Sequence, residues 1–118
     1  MTVNVSDLVG LPWKFHGRGE EGLDCFGLIM IIAARCGKKL NDPLYRGFDP
    51  SLVKLAEYAG LAKAKRLQAG CVIEMEKDGR LHLGYALDME KMIHCTCDEG
   101  VVVEDIKNFI IRGFYTWA

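Results

Sequence analysis

The sequence predicts an α+β domain in which N-terminal helices pack on a C-terminal antiparallel β-meander or small barrel. In the first half of the chain the longest apolar stretch shows no alternation, which favours a helix. The second half consists of short segments rich in β-branched and aromatic residues, separated by tight-turn residues, which favours strands. The length of 118 residues suits one domain, residues 1–118. Helices followed by strands favour a sheet with helices on one face.

The beginning of the chain is predicted to be a short helical segment followed by a loop. Residues 3–11 are apolar enough for one or two helical turns, with Ser6 and Asp7 as the N-cap. Residues 12–22 contain three glycines and several turn-forming residues. Such a loop can bring its backbone close to another part of the chain.

A buried helix is predicted over residues 23–36, which are apolar on nearly all sides. Asp24 stands at its start, where a carboxylate can cap the helix, and Gly37 stands at its end, where a left-handed residue can stop it. After an irregular connection, a second helix is predicted from residue 51 to about residue 59, because Pro50 and Ser51 form a helix-start signal.

The second half of the chain is predicted to form four or five antiparallel strands. Asp78 and Gly79 form the strongest hairpin signal, because this dipeptide favours a two-residue turn. Short strands joined by tight turns pair with their neighbours along the chain. The predicted strands cover residues 71–76, 81–87, 91–97, 101–104 and 109–117.

Charge and hydropathy exclude several classes of protein. The formal charge of −1 provides no long-range attraction to nucleic acid, and we expect no such partner. The longest apolar run, residues 28–34, is seven residues long, whereas a membrane span needs about 20. The N-terminus lacks a signal-peptide pattern, so we expect the chain in the cytoplasm as synthesised. We interpret the basic cluster at Lys63, Lys65 and Arg66 as a solvated face.

Five cysteines cannot all pair within one chain, and in the reducing cytosol cysteines stay as thiols, bind metal or do chemistry. Cys25 lies in the first turn of the predicted buried helix, where amide groups favour an anion. A nearby histidine would complete an activated thiol. We therefore expect the pKa of Cys25 to be lowered. We also expect iodoacetamide to alkylate it before the other cysteines, with a midpoint well below pH 8.

Two histidines are predicted to lie near each other on one hairpin. If the chain turns around residues 88–90, His82 and His94 are equidistant from the turn and face each other across adjacent strands. Facing residues on one side of a sheet have Cβ atoms about 5 Å apart. A base and its orienting group beside a helix-start thiol form the arrangement of a cysteine–histidine nucleophile. The residues alone leave inert packing of each group open as the alternative.

These residues resemble the NlpC-type cell-wall cysteine peptidases of the papain-like superfamily. The family's nucleophile motif, Asp-Cys-x-Gly-hydrophobic after a glycine-rich loop, corresponds to residues 24–28. Its His-hydrophobic-Gly/Ala-hydrophobic strand corresponds to residues 82–85, and its third polar residue, often a histidine, corresponds to His94. An upstream Gly-x-Pro-aromatic segment matches residues 10–13. The first strand of the family's sheet usually starts Gly-Asp, and here Gly-Cys stands at residues 70–71.

The resemblance implies a papain-like NlpC-type fold and a division of roles. Cys25 would be the nucleophile, His82 the general base and His94 the group that orients His82. The oxyanion or substrate-binding residues would be Trp13, Asp24, Phe26 and Gly84. Many members have a tyrosine where this chain has Trp13, which offers an indole N–H and no hydroxyl.

The resemblance also implies a substrate and a setting. The family hydrolyses amide bonds in peptidoglycan stem peptides, typically the γ-D-glutamyl bond to a diamino acid, without a metal or cofactor. Three features resemble the phage-tail-associated branch of the family. They are the bulky residue after the cysteine, residues 102–105 and residues 113–115. With no targeting domain expected, the enzyme would be virion-associated, or delivered to the cell wall through a holin or by phage-tail or other assembly proteins. Recycling of wall peptides in the cytoplasm stays open as another route.

Three alternatives stay open on the sequence. The chain could be a catalytically weak or inactive papain-like binding or assembly module, or an acyltransferase or deamidase that uses the same Cys-His-His site. A structural zinc site would draw on His94, Cys95 and Cys97, with His82 nearby. Cys-x-Cys spacing is unusual for zinc, and strand alternation would put Cys95 on the face opposite His94.

Overall fold

The computed structural model describes residues 3–42 and 57–118, in which a helix packs on a six-stranded antiparallel sheet. Helix α1 (Cys25–Arg35) follows a small ribbon formed by β1 (Arg18–Gly19) and β2 (Gly22–Leu23). The large sheet contains β3 (Leu61–Ala64), β4 (Val72–Lys77), β5 (Arg80–Ala86), β6 (Lys91–Thr96), β7 (Gly100–Asp105) and β8 (Ile110–Trp117). The predicted α+β class is therefore confirmed.

Helix α1 begins and ends where its capping residues predict. The Asp24 side chain accepts the N–H of Gly27 at 2.7 Å, which satisfies one of the first-turn donors. Gly37 has a φ of 77°, the left-handed conformation that commonly follows a helix end. Leu28, Ile29 and Ile32 are fully buried, because this helix lies on the sheet rather than at the surface.

The strand order is β3-β8-β4-β5-β6-β7, so the sheet is a meander only from β4 to β7. The last strand, β8, returns to pair with β4 on one side and with β3 on the other. Strand β3 was not predicted from the sequence, because two of its four side chains are exposed and its pairing with the chain's end is non-local. Lys63, Lys65 and Arg66 are exposed, as expected.

The hairpin between β4 and β5 turns at Asp78 and Gly79, which have φ values of 53° and 73°. Two consecutive positive φ values define the turn type that this dipeptide favours. The next hairpin differs from the prediction. His94 pairs with Gly84 instead of His82, because the centre of the turn lies at residue 89 and not at residue 88. The shift of two residues keeps both histidines on the same face of the sheet.

The sheet buries both of its faces. Leu83 and Tyr85 of β5 belong to the apolar cluster that contains α1. Ala86 of β5 and Met92 of β6 belong to a second cluster, together with Cys71, Ile73, Met75 and Ile106. Because side chains alternate along a strand, His82 and His94 share a face with this second cluster.

Two predicted helical segments differ in part from the structure. At the N-terminus, Ser6–Leu8 forms one 3₁₀ turn, and its N-cap is Val5 without a side-chain hydrogen bond. The prediction that Ser6 and Asp7 form the N-cap is therefore wrong, because the Ser6 hydroxyl bonds to Asn4 instead. Residues 57–59 are helical at the end of the second predicted helix, and its residues 51–56 lie outside the described residues. Within the described parts of the chain, no helix is long and apolar enough to cross a membrane.

Candidate active site

Cys25 is the first residue of α1 and is partly buried. The glycine-rich loop before it packs tightly against the helix start, since a Cβ on Gly27 would collide with the backbone carbonyl of Gly17. The N–H of Asp24 also donates to the carbonyl of Gly17 at 3.3 Å. The loop and the first helical turn are therefore held together by backbone contacts that only glycine permits.

The surroundings of the thiol raise its pKa rather than lower it. Burial and the neighbouring Asp24 carboxylate raise the pKa of Cys25 to about 11, against the smaller effect of hydrogen bonds from the N–H groups of Leu83 and Phe26 and of the Arg18 charge. The expectation of a lowered pKa from the helix start is wrong, because it counted the helix amides and omitted desolvation. The free site therefore holds a neutral thiol at pH 7.

The sulfur of Cys25 lies at a gap in the sheet. Strands β5 and β6 pair only through Gly84, Tyr85 and Ala86, so their ladder ends at Gly84 and His94. The Leu83 N–H points toward β6, like the Leu87 N–H that donates to Lys91 at 2.9 Å, but the ladder has already ended there. This N–H, on the residue that follows His82, is thus available to the thiol of Cys25.

His82 and His94 form a buried hydrogen-bonded chain with a carboxylate. Nε2 of His82 and Nδ1 of His94 are 2.9 Å apart, and Nε2 of His94 is 2.8 Å from Oε2 of Glu104. His94 has no exposed surface, and His82 is 8% exposed. Phe109 packs edge-on against the His94 ring with the ring centres 5.2 Å apart. The structure thus brings the two predicted histidines together and adds a third group.

Burial lowers the pKa of both histidines. The pKa of His82 falls to about 4, mainly by desolvation, with further lowering from His94 and Lys77. The pKa of His94 is also lowered by desolvation, although the Glu104 carboxylate opposes that shift. Both imidazoles are therefore neutral at pH 7, and His82 has the free lone pair that a general base needs.

Gly84 provides room for His94. A Cβ on Gly84 would lie 3.0 Å from Cε of Met75, 3.0 Å from Sδ of Met92 and 3.4 Å from Cβ of His94. Because Gly84 has no side chain, the side chain of His94 fits directly opposite Gly84. These contacts give Gly84 a packing role, and its predicted contact with substrate stays a prediction.

Asp24 and Phe26, the other two predicted binding residues on the helix, also have structural partners. Asp24 accepts hydrogen bonds from Gly27 and from Arg18, both at 2.7 Å. The same Arg18 holds Asp42 through Nε and Nη2 and lies over the Phe26 ring, 5.8 Å from its centre. Phe26 itself is 7% exposed and faces the helix-side cluster.

Trp13 stands at the rim of the site. It forms a parallel bridge with Leu23, two residues before Cys25, and its side chain is 38% exposed. The neighbouring backbone holds it there, because Lys14 N–H donates to Leu23 at 3.0 Å and Leu23 N–H donates to Pro12 at 2.9 Å. The indole is thus placed near the helix start, and its predicted part in oxyanion binding stays a prediction.

The residues of the alternative zinc site do not converge. The thiol of Cys95 donates to the carbonyl of Leu23 at 3.1 Å on the helix side of the sheet, whereas His94 faces the other side. Cys97 is exposed beside Asp98. In residues 3–42 and 57–118, no group of three or more metal-ligating side chains is close enough to hold a metal ion.

Sequence reasoning missed two residues of the site, Glu104 and Arg18. The turn at residues 97–99 contained the signal for Glu104, since it pairs His94 with Val102 and puts Glu104 two residues further along the same face. Arg18 has no comparable local signal, because its two carboxylate partners lie 6 and 24 residues away along the chain.

Comparisons with known proteins agree with this architecture. The model of the NlpC/P60 family matches residues 10–117. No curated protein matches the chain.

Among solved structures, the NlpC/p60 domain of the peptidoglycan hydrolase SagA is 22% identical with a TM-score of 0.67, covering 95% of this chain and 91% of the other. An NLP/P60 family protein similar to lipoprotein, from Staphylococcus aureus subsp. aureus Mu50, is 18% identical with a TM-score of 0.68, covering 94% of this chain and 38% of the other. An NlpC/P60 family protein from Bacillus cereus ATCC 10987 is 19% identical with a TM-score of 0.61, covering 92% and 36%.

At these identities the structural likeness shows the fold, and the chain spans little more than a third of the two longer proteins. None of the three names mentions a phage tail, so that association stays a prediction. The family model covers the helix-start cysteine, both histidines and nearly all of the described sheet. The chain belongs to the NlpC/P60 family.

Proposed function

We propose that this protein is a cysteine peptidase that hydrolyses an amide bond in peptidoglycan stem peptides, of the γ-D-glutamyl–diamino acid type. The observation that carries the proposal is the hydrogen-bonded chain from Glu104 through His94 to His82, together with the helix-start thiol of Cys25, which accepts a hydrogen bond from the N–H of Leu83, the residue after His82. The peptidoglycan hydrolase SagA, whose domain shares this fold, supports the substrate class.

In the proposed reaction Cys25 transfers its thiol proton to His82 as the sulfur attacks the substrate carbonyl carbon. The raised pKa of the thiol and the lowered pKa of His82 favour neutral partners before substrate binds. Proton transfer therefore accompanies attack and does not precede it. His94 holds the imidazole of His82 through the 2.9 Å hydrogen bond.

The carbonyl oxygen becomes an oxyanion that the backbone N–H of Cys25 stabilises, because N–H groups in the first turn have no acceptor within the helix. The imidazolium of His82 then protonates the leaving amine, and the C–N bond breaks. Water, deprotonated by the same imidazole, hydrolyses the thioester and releases the thiol of Cys25.

Incubation with purified muropeptides, with products identified by mass, tests the proposal. We expect the wild type and Cys97→Ala to release the same two fragments, and Cys25→Ala to release neither. Cys97 is a matched control, since it is exposed and lies outside the hydrogen-bonded chain. The masses identify the bond, and a cut elsewhere in the stem peptide would replace the γ-D-glutamyl assignment. Cleavage that survives Cys25→Ala, or absence of cleavage by the wild type, would contradict the proposed activity.

A further inference from the structure

Glu104 occupies a place in the buried chain that the two histidines alone do not explain. Its carboxylate lies 2.8 Å from Nε2 of His94, while its side chain stays 33% exposed. It reaches His94 diagonally across the β6–β7 pair, where its own partner is Met92. A carboxylate at this point determines which protons the neighbouring rings can carry.

We propose that Glu104 is a positioning residue that fixes the tautomers of both histidines and leaves Nδ1 of His82 as the proton acceptor. The role of Nδ1 of His82 as the proton acceptor rests on the proposed cysteine-peptidase function. The fixing of the tautomers rests on the two hydrogen bonds and on the complete burial of His94, which favours the singly protonated ring.

The contact of each ring nitrogen determines whether it carries a hydrogen. An ionised carboxylate only accepts hydrogen bonds, so Nε2 of His94 must carry the hydrogen at its 2.8 Å contact with Glu104. A neutral imidazole carries one hydrogen, so Nδ1 of His94 is then an acceptor. Its partner at 2.9 Å, Nε2 of His82, must be the donor. The free lone pair of His82 is therefore on Nδ1.

The opposite assignment fails on the same contacts. If His94 carried its hydrogen on Nδ1, the lone pair of Nε2 would face the carboxylate of Glu104, and two acceptors would stand 2.8 Å apart. His82 would then accept on Nε2 and carry its hydrogen on Nδ1. An imidazole in that state has no lone pair left to take a proton from a thiol.

A doubly protonated His94 would also donate to Glu104, but it would reverse the bond to His82. Burial lowers the pKa of His94, and the positive charge of Lys77 lowers it further, although Glu104 and Glu99 oppose that shift. The neutral ring is therefore the form that both hydrogen bonds describe at pH 7.

Imidazole ¹⁵N–¹H correlation spectra of the wild type at pH 7 test the tautomers directly. We expect both His82 and His94 to carry the hydrogen on Nε2. A hydrogen on Nδ1 of either ring, or a doubly protonated His94, overturns the proposal. This readout needs no turnover, so an inactive wild type with the expected tautomers would refute the proposed function and leave the assignment of the hydrogens intact.

Variants separate positioning from simple folding. Glu104→Gln presents both a donor and an acceptor to His94, so we expect mixed tautomers. We also expect a fall in kcat of at least about tenfold with little change in KM. Glu104→Asp keeps the charge and should restore the single tautomer in part. Asp105→Asn is the matched control, because Asp105 is also 33% exposed on the same strand but pairs with Lys91.

We expect Asp105→Asn to keep wild-type tautomers and wild-type kcat. A Glu104→Gln protein that shows one unchanged tautomer and unchanged kcat overturns the proposal. If that variant fails to fold, the spectrum of the wild type and the comparison of Glu104→Asp with Asp105→Asn still decide the matter.

Discussion

Arg18 and Asp24 meet at 2.7 Å, and the carboxylate oxygen that accepts this bond also accepts the N–H of Gly27. The same guanidinium donates to the carbonyl of Gly17 and forms two bonds to Asp42. One partly buried arginine thus ties the loop before Cys25 to the cap of its helix. The position of Cys25 depends on this arrangement.

Loss of the cap should weaken the fold measurably. We expect Asp24→Ala to lower the free energy of unfolding by about 1–2 kcal/mol, because it removes the cap of α1 and one partner of Arg18. Urea denaturation measures the change. Asp7→Ala is the control, since Asp7 forms an exposed ion pair with Arg35, and its effect should be much smaller. Equal effects of the two substitutions would contradict a special role for the cap.

Gly27 should not tolerate a methyl group. A Cβ there collides with the carbonyl of Gly17, whereas a Cβ on Gly19 meets nothing within 4 Å. We expect Gly27→Ala to lower the free energy of unfolding by at least about 1 kcal/mol, even though alanine favours helix by a similar amount. Gly19→Ala should leave the melting temperature nearly unchanged. A stable Gly27→Ala protein would show that the loop can move away from the helix.

His82 should make stability depend on pH in the acid range. Its pKa is about 6.5 in the unfolded chain and about 4 in the fold, so the unfolded chain binds more protons between these values. The contribution, on the order of 3 kcal/mol, is fully present above about pH 6.5 and is lost as the pH falls toward 4. We expect urea titrations of His82→Gln to show a flatter pH dependence than the wild type. His16→Gln, at an exposed position, should keep the wild-type slope.

Alkylation should follow exposure and not proximity to the histidines. In the ligand-free protein we expect iodoacetamide to modify the exposed Cys97 first. The rate at Cys25 should rise about tenfold per pH unit above neutrality, because its pKa is raised to about 11. Peptide mass spectrometry after timed quenching measures each site. Fast modification of Cys25 with a midpoint below pH 8 would instead indicate a preformed thiolate–imidazolium pair.

Trp13 should matter through its N–H. If the indole donates to the oxyanion, Trp13→Phe removes that donor, and we expect kcat on muropeptides to fall on the order of a hundredfold. Trp13→Tyr restores a donor and should retain more activity than Trp13→Phe. Phe15→Leu, at a 70% exposed aromatic nearby, is the control for loss of ring area. Equal kcat for Trp13→Phe and the wild type would remove the indole from the mechanism.

Much of the fold could be predicted because its signals are local. The cap at Asp24, the stop at Gly37 and the turn at Asp78 and Gly79 each depend on a few neighbouring residues. Strand β3 and the insertion of β8 beside β4 could not be predicted in this way, because their paired residues lie between 34 and 56 positions apart along the chain. Pairing over such distances is decided by burial on the finished sheet.

Of the candidate site, the sequence predicted the proximity of His82 and His94 and missed Glu104, Arg18 and the direction of the Cys25 pKa shift. The facing partner of His94 is wrong by two residues, because a one-residue error in the centre of a turn moves a partner by two. A shift of two residues leaves His82 and His94 on the same face of the sheet, so their contact could still be predicted. The raised pKa of the Cys25 thiol could not be foreseen, because desolvation depends on what packs around Cys25 after folding.

Because the β5–β6 ladder ends early, the surroundings of His94 depend mainly on its pairing with β7 and hence on the turn at residues 97–99. Strand β6 pairs with β5 at three positions but with β7 at six. The length of the turn between β6 and β7 therefore determines which residues of β7 lie beside His94. One inserted residue in the turn would reverse which face Glu104 points to, while the β4–β5 hairpin stayed intact. The length of a turn that contains none of the site residues therefore determines whether Glu104 can reach His94.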